Sequence, residues 1–597
     1  MNDKDNSAMK TLPSVDAVII GLGWTGSIMG MELTDAGLNV VALERGGDRT
    51  KEDFLYPKPA DELKYGVRLE MMQRPKQSTV TIRRNADEEA LPQRHWTTFH
   101  PGDGVGGAGS HWTGVLYRAT PTELSLKSFA DRTFEPGFLP EDMTIQDYGV
   151  TYEELEPHYD FFEKVAGLSG QAGNVQGEII DGGNPFEGPR QNPFPLPPLP
   201  RTLTDTLFTE ATKKLGWHPY PYPSANVSGA WTNPYGMQLG PCNFCGFCSN
   251  YGCLNYSKAS PQTCVLDALK QRETFSYRTH CEVTRIVKSD DGETVKGVVY
   301  RDGEGQETFQ PAGMVILASF PLSNVRILLL SEIGKPYDPV ANTGVVGRNF
   351  SYQITGSIDM YFKDHQFNPF ISAGGSGQVI DDFSPDTFDT ASHGFIGGSY
   401  IYTTQGPGGA IGAIRTPPGS ASWGSEWKKN ASEHYGHHMM LGTTGTNMSY
   451  RDVYLDLDPT YTDPHGDPLL RMTYDWKDND MRMTQFMAER MREIVAELKP
   501  DYHTESFKQV GDHFDPSHYQ STHLTGGAIM GTDPKTSVLN RYLQHWDAHN
   551  LFVMGASAFP QNMQHNPTGT VAALTYWSAK HIRERYLKAP GPLMEKA

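Results

Sequence analysis

The sequence predicts an α/β protein that begins with a dinucleotide-binding unit and carries a dense cysteine loop near its middle. Two stretches carry this reading. From Asp16 the chain runs "DAVIIGLGWTGSIMGMELTDAGLNVVALERG", and residues 242 to 253 read "CNFCGFCSNYGC", which gathers four of the six cysteines.

The first stretch is justified part by part. Ala17 to Ile20 is an apolar run with the length of a buried parallel strand. Gly21, Gly23 and Gly26 then fit G-x-G-x-x-G: the first permits a tight turn, the second a close backbone approach to a pyrophosphate, the third close helix–strand packing. A helical stretch follows to Ala36-Gly37, its N-terminus facing the phosphates. Leu38 to Leu43 forms a second apolar run ending in Glu44, which can accept hydrogen bonds from ribose hydroxyls and would repel a 2′-phosphate. A bare structural turn is the competing reading, and these residues do not choose between FAD and NAD.

Three readings compete for Cys242, Cys245, Cys248 and Cys253. Zinc ribbons split their ligands into two C-x-x-C pairs about fifteen to twenty residues apart, unlike this loop. Disulfides between cysteines three apart would be strained. An iron–sulfur cluster needs thiolates wrapped closely around several irons, and C-x2-C-x2-C-x4-C is near the bacterial ferredoxin run, with one residue more and Leu254 in place of proline. A three-iron cluster with one spare cysteine fits as well as a four-iron one. Cys264 and Cys281 read as ordinary buried thiols. A dinucleotide unit and an iron–sulfur loop in one chain point to electron transfer.

Bulk properties bound the rest. A chain of 597 residues exceeds one simple core, so two or more lobes are expected. Hydrophobic residues make up 38%, with no run of eighteen, so no membrane span is expected. A net charge of −19 argues against nucleic acid as a partner. The start "MNDKDNSAMKTLPSVDAVII" has no basic n-region, twin arginine or apolar h-region, which alone reads as cytoplasmic.

Several further segments carry a resemblance. The N-terminal fingerprint, "VGGAGSHW", "VILASFPLSNVRILLLSEIG" and "NLFVMGASAFP…NPTGTVAAL" together resemble the glucose–methanol–choline (GMC) oxidoreductases. Within that superfamily "MTIQDYGVTYEELEPHYD", "GPCNFCGFCSNYGC", "DLDPTYTDPHGDPLLRMTYDW" and "HLTGGAIMGTDPKTSVLNRYLQHWD" resemble the flavoprotein subunits of membrane-bound gluconate 2-dehydrogenases. The likeness runs from about Asp16 to Leu587.

The resemblance implies FAD, with Gly21, Gly23, Gly26 and Glu44 at its adenosine end. It puts Gly107, Gly109 and His111 near the isoalloxazine, Val283 at the adenine and Ala556 and Ser557 at the pyrophosphate, with Thr568 also cofactor-binding. "SHW" resembles a segment in which histidine is bonded to flavin, while related His-Trp enzymes lack that bond, so covalent attachment through His111 stays open. The resemblance also implies a 3Fe-4S cluster on the cysteine loop, a small subunit carrying an export signal and a multihaem cytochrome c subunit carrying the membrane anchor. The chain would then work on the periplasmic side of the cytoplasmic membrane, peripheral through its partners.

The family's catalytic pair maps onto His523 in "THLTGG" and Asn566 in "QHNPTG". Oxidising a secondary alcohol needs a base for the hydroxyl proton while hydride leaves carbon, and a neutral imidazole suits that task. Asn566 can hold the hydroxyl oxygen in line. His565 is expected either to contact substrate or to support the site from behind. A sugar-acid carboxylate calls for a cation, most naturally arginine, but the sequence ranks none. The implied reaction is D-gluconate to 2-keto-D-gluconate. The alternatives are a paralogue for 2-keto-D-gluconate, a polyol or a glycoside 3-hydroxyl, a non-catalytic electron-transfer subunit, or an oxidase.

The expected architecture is a discontinuous Rossmann-like FAD domain from 14–50, 95–120, 270–345 and 505–590. A sheet-based substrate domain takes 51–94, 121–200 and 346–504, and 201–269 carries the cysteine loop.

Overall fold

The computed structural model describes residues 9–54, 71–75, 78–94, 99, 101–368, 371–404, 414–517 and 522–596. Parts of the expected segments 51–94, 95–120, 346–504 and 505–590 lie outside the described residues.

The glycine-rich start folds as its pattern predicts. Val15–Ile20 and Val40–Leu43 are adjacent parallel strands, buried over Ala17–Ile20 and Val40–Leu43. The helix Trp24–Asp35 between them is buried from Trp24 to Thr34. Only glycine fits at its packing point, because a Cβ on Gly26 would lie 2.1 Å from the Gly21 carbonyl oxygen. Gly21 turns with φ +91°, left-handed backbone that glycine adopts without cost.

The long strand Glu307–Leu317 joins two kinds of sheet. Its second half pairs in parallel with Val15–Ile20 and Leu551–Val553, extending the order Phe275–Arg278, Val40–Leu43, Val15–Ile20. Its first half pairs antiparallel with Val295–Arg301, which pairs antiparallel with Glu282–Lys288. A turn at Asp291-Gly292 joins these last two, and Gly292 takes φ +74° in it. The next helix, Pro321–Leu330, starts with proline at its first position, where no intrahelical N–H is needed.

The stretch expected to be sheet-based holds most of a six-stranded antiparallel sheet in the order Tyr502–Ser506, Ile354–Tyr361, His438–Gly445, Ser399–Thr404, Gly377–Ile380, Tyr220–Pro221. Helix Asp478–Leu498 packs across it through Met483, Met487 and Met491. Tyr502–Ser506 carries this sheet past residue 504, and Tyr220–Pro221 joins it from the stretch that bears the cysteine loop. Main-chain hydrogen bonding decides both memberships, and side-chain patterning does not display it. A smaller sheet, Tyr454–Thr462, Pro468–Thr473, Val80–Arg83 and Leu91–Pro92, stands beside these.

Among the described residues no helix is long and apolar enough to cross a membrane.

Candidate active site

The site forms where the parallel strands end. Gly21 follows Ile20, Glu44 follows Leu43, Ala318 follows Leu317, and Gly555 and Ala556 follow the strand Leu551–Val553. All of them line one cavity of about 460 Å³. Carboxyl ends of parallel strands are where such sheets bind ligands, since the loops there diverge and leave a crevice.

Two features suit this cavity to a dinucleotide. Helix Trp24–Asp35 begins at Gly23 with no side-chain cap and no acid in its first turn, so its leading N–H groups and dipole are left for an anion. Gly107 lies against Gly23, where an added Cβ would sit 3.6 Å from the Gly23 Cα, so two backbones without side chains share one wall. Glu44 turns inward: Oε2 accepts from the Leu22 N–H at 3.0 Å and Oε1 from the Gly46 N–H at 2.9 Å, which holds the turn open.

Gly21, Gly23, Glu44, Gly107, Gly109, His111, Val283, Ala556 and Thr568 all line the cavity. Two expected contacts do not. Gly26 serves the helix–strand packing described above. The Ser557 hydroxyl meets the Asn324 side-chain amide at 3.0 Å. Cys281, read as an ordinary buried thiol, lines the cavity as well.

The catalytic candidates meet at the other end. His523 Nε2 lies 3.1 Å from Asn566 Nδ2. Asn566 is placed by the turn that starts helix Thr568–His581. His523 has φ +71°, an uncommon value for a side-chain-bearing residue and one that clusters at functional sites. Ser351 and Thr525 exchange backbone hydrogen bonds of 3.0 Å in an antiparallel bridge, and continuing that register by two residues sets Gln353 opposite His523. The Gln353 side-chain amide abuts Nδ1.

These contacts fix the tautomer. Tyr400 donates its hydroxyl to Asn566 Oδ1 at 3.0 Å, so the Asn566 amide N–H faces Nε2. A neutral imidazole has one lone pair and one N–H. Nε2 therefore holds the lone pair and Nδ1 the proton; the side-chain nitrogen of Gln353 is the atom set against Nδ1, and turning that amide by 180° gives Nδ1–H its acceptor oxygen. Burial pushes the His523 pKa down to about 4, so the ring is neutral at ordinary pH with its basic nitrogen facing the cavity.

His565 is buried and does not line this cavity. Its ring stacks on Tyr117 at 4.4 Å and Tyr400 at 5.2 Å. Nε2 lies 3.1 Å from Asp381 and Nδ1 3.9 Å from Glu123. Desolvation alone would lower its pKa, but the Asp381 and Glu123 carboxylates outweigh it and raise the value.

The cysteine loop lies against the same cavity. Ser249 and Asn250, between Cys248 and Cys253, line it beside His111 and Trp112, and Asn250 N–H donates to the His111 carbonyl at 2.7 Å. None of the six cysteines is in a disulfide. The four loop thiols influence one another electrostatically, yet among the described residues no three His, Cys, Asp or Glu side chains converge on one point for a metal ion. One zinc would draw its sulfurs to within ~4 Å of each other. Each loop sulfur accepts an N–H: Cys242 from Phe244 and Cys253 from Ser257 and Lys258, all at 3.4 Å, Cys248 from Asn226 at 3.6 Å, and Cys245 from Phe247. Such donors stabilise thiolates in iron–sulfur sites.

Gln353, Tyr400, Asp381 and Lys258 escaped the sequence reading. Tyr400 alone left a trace, in the alternation of "SYIY".

Comparison with known proteins identifies the family. The GMC oxidoreductase family models match residues 208–355 and 450–575. Gluconate 2-dehydrogenase flavoprotein from Pantoea cypripedii is 51% identical over 98% of this chain and 96% of its own. 2-Methyl-1,2-propanediol dehydrogenase from Mycolicibacterium austroafricanum is 26% identical over 96% and 95%. Among solved structures, pyridoxine 4-oxidase from Mesorbium loti superposes with a TM-score of 0.59 at 17% identity, covering 95% of this chain and 98% of that one, a likeness of fold. The chain belongs to the GMC oxidoreductases, a family of enzymes that bind FAD, and is a homologue of the gluconate 2-dehydrogenase flavoprotein.

Proposed function

We propose that this chain is the catalytic flavoprotein of a dehydrogenase that converts D-gluconate to 2-keto-D-gluconate and passes the electrons to a haem protein. One observation carries the chemistry: a neutral imidazole, His523, presents its basic nitrogen to the cavity beside Asn566. The likeness to the Pantoea flavoprotein supports the choice of substrate.

FAD bound along the glycine cradle supplies a hydride acceptor for the carbinol carbon. His523 Nε2 takes the hydroxyl proton as that hydride leaves, so the substrate loses two electrons and two protons and a ketone forms. Asn566 holds the hydroxyl oxygen in line, and its own orientation is set by Tyr400. Gly21, Gly23 and the helix start at Trp24 would hold the pyrophosphate, Glu44 the ribose, and Gly107, Gly109 and His111 the ring system. A covalent bond to His111 would leave flavin on the protein after acid precipitation, and free flavin in the supernatant would exclude it.

An iron–sulfur group of the 3Fe-4S type on Cys242, Cys245, Cys248 and Cys253 supplies one-electron exit. The loop's place on the cavity wall supports this, since Ser249 and Asn250, which lie between Cys248 and Cys253, line the cavity. The partners proposed are a small subunit with an export signal and a multihaem cytochrome c, with the chain peripheral on the periplasmic side of the membrane. A paralogue acting on 2-keto-D-gluconate, a polyol or a glycoside would share every feature named here.

An anaerobic absorbance titration with D-gluconate tests the reading. Bleaching of the oxidised flavin band at stoichiometric gluconate is the expected result. Bleaching by dithionite but not by gluconate would leave the flavoprotein and remove the substrate.

A further inference from the structure

Lys258 is completely buried, a rare place for a lysine. Its Nζ donates to three carbonyl oxygens, those of Trp112 at 2.6 Å, Cys248 at 2.7 Å and Tyr251 at 2.8 Å. Three acceptors require three protons, so the group is the ammonium; a neutral amine would turn its lone pair onto a carbonyl oxygen.

A buried cation ordinarily sits beside a carboxylate, because the unpaired charge costs several kcal/mol. No carboxylate is among the charges that act on Lys258. Burial pulls its pKa below the ordinary lysine value, and the groups that act against that are the sulfurs of Cys248, Cys253 and Cys245. Its own backbone N–H donates to Cys253 Sγ at 3.4 Å. The side chain therefore reaches back through the loop it terminates and ends between that loop and the Trp112 segment of the cavity wall.

We propose that Lys258 is the fixed counter-charge of the cysteine loop: a positioning residue that ties the thiolate-bearing loop to the flavin-flanking segment and raises the reduction potential of the iron–sulfur group held there. The inference rests on the reading of the loop as an iron–sulfur site. The physical reason is Coulombic. Reduction by one electron adds a negative charge, and a nearby ammonium in a low-dielectric setting stabilises the more negative state. The same cation favours thiolates over thiols, which is the form that binds iron.

The test uses the full chain with flavin and iron in place. Iron and sulfide are first measured in the wild type, and their absence would overturn both the cluster reading and this inference before any variant is made. Lys258→Met and Lys258→Gln are then compared with wild type by redox-titrated electron paramagnetic resonance, by anaerobic flavin bleaching with gluconate, and by reduction of ferricyanide as a one-electron acceptor. Dithionite replaces gluconate if the sugar acid fails to bleach the wild type, so failure of the substrate reading is seen separately. The expected result is a lower midpoint potential and acceptor reduction slowed at least tenfold, with flavin bleaching unchanged. An unchanged midpoint in an iron-replete variant overturns the proposal.

If neither variant folds, the wild type answers alone. An amine-reactive reagent with peptide mapping should spare Lys258 while iron is bound and label it after chelation. Continued protection in the iron-free protein would show that the carbonyls suffice to hold it, and would also overturn the counter-charge role.

Discussion

Two histidines flank Asn566, His523 half-buried on the cavity and His565 buried, and their pKa values shift in opposite directions. Among the described residues the His523 ring meets uncharged amides, from Gln353 and Asn566, and desolvation takes its pKa down to about 4. His565 is enclosed more fully, yet Asp381 and Glu123 face its two nitrogens and its pKa rises. Desolvation acts on both rings, so the partners decide. An amide environment keeps an imidazole neutral and ready to take a proton, whereas a carboxylate environment makes it a charged anchor. The protein places the amide-bound imidazole on the cavity and the carboxylate-paired one away from it.

The largest expected effect tests the first half of this contrast. His523→Ala should lower kcat by about 10²–10⁴, the usual contribution of a general base, while the protein keeps its flavin spectrum. In the wild type, kcat/KM should hold as pH falls past 6.5 and decline only as it nears the base's pKa of about 4. An acid limb at 6.5 would mean that the imidazole is not desolvated and would remove the contrast.

Asp381→Asn tests the second half. Removing one partner of a buried ion pair costs about 3–5 kcal/mol, to be read from denaturant titrations. The pH dependence has a definite sign. His565 has a folded pKa above its ordinary 6.5, so the stabilisation is complete below 6.5 and is lost as pH rises through the folded value. The stability gap between wild type and variant should therefore be widest at acid pH and narrow as pH rises. His523 acts in reverse: its depressed pKa makes the unfolded chain bind the extra proton between 6.5 and 4, so it costs stability in that window. A gap that does not change with pH would mean that His565 is not charged.

This division was only partly legible in the sequence. Local signals worked where one stretch of chain does one job. The run Val15 to Glu44 contains its own strand, turn, helix and acid, and "CNFCGFCSNYGC" contains its own thiols. The motifs around His523 and Asn566 named the pair through family likeness, but nothing near them shows which histidine is neutral. Gln353 lies 170 residues from His523, Asp381 184 from His565 and Tyr400 166 from Asn566. The Ser351–Thr525 bridge and the six-stranded sheet bring them together, and such registers depend on pairing across the whole chain. Lys258 was hidden for a different reason: a lysine after a polar loop reads as solvated, and only the fold shows that three carbonyls enclose it.

Gln353 sharpens the contrast by changing one partner. Gln353→Leu takes away the acceptor that fixes the Nδ1 proton, so part of the protein should hold the unproductive tautomer. We expect a fall of about tenfold in kcat with little change in KM, in line with the loss of about 1.4 kcal/mol of positioning. Gln353→Glu keeps an acceptor and adds a charge, which turns His523 toward the situation of His565. It should retain more activity than the leucine variant at high pH, and the acid limb should move up from near 4. If both variants behave alike at every pH, Gln353 serves only to fill space.

Tyr400 gives the smallest effect and the finest distinction, because it touches both sides: its hydroxyl donates to Asn566 Oδ1 at 3.0 Å while its ring stacks on His565. Tyr400→Phe removes the hydroxyl and keeps the ring, so the stacked anchor survives while Asn566 loses the donor that turns its N–H toward His523. A neutral hydrogen bond contributes about 0.5–1.5 kcal/mol, so kcat should fall by about two- to tenfold with unfolding stability changed by no more than that. The pair with Gln353→Leu then measures how the tautomer is held. If Tyr400 and Gln353 fix one proton from opposite ends of the same chain of bonds, the second substitution costs less once the first is present, and a double-mutant cycle shows a coupling energy. Simple additivity would mean that each amide is held independently, and that the tautomer of His523 is set at Nδ1 alone.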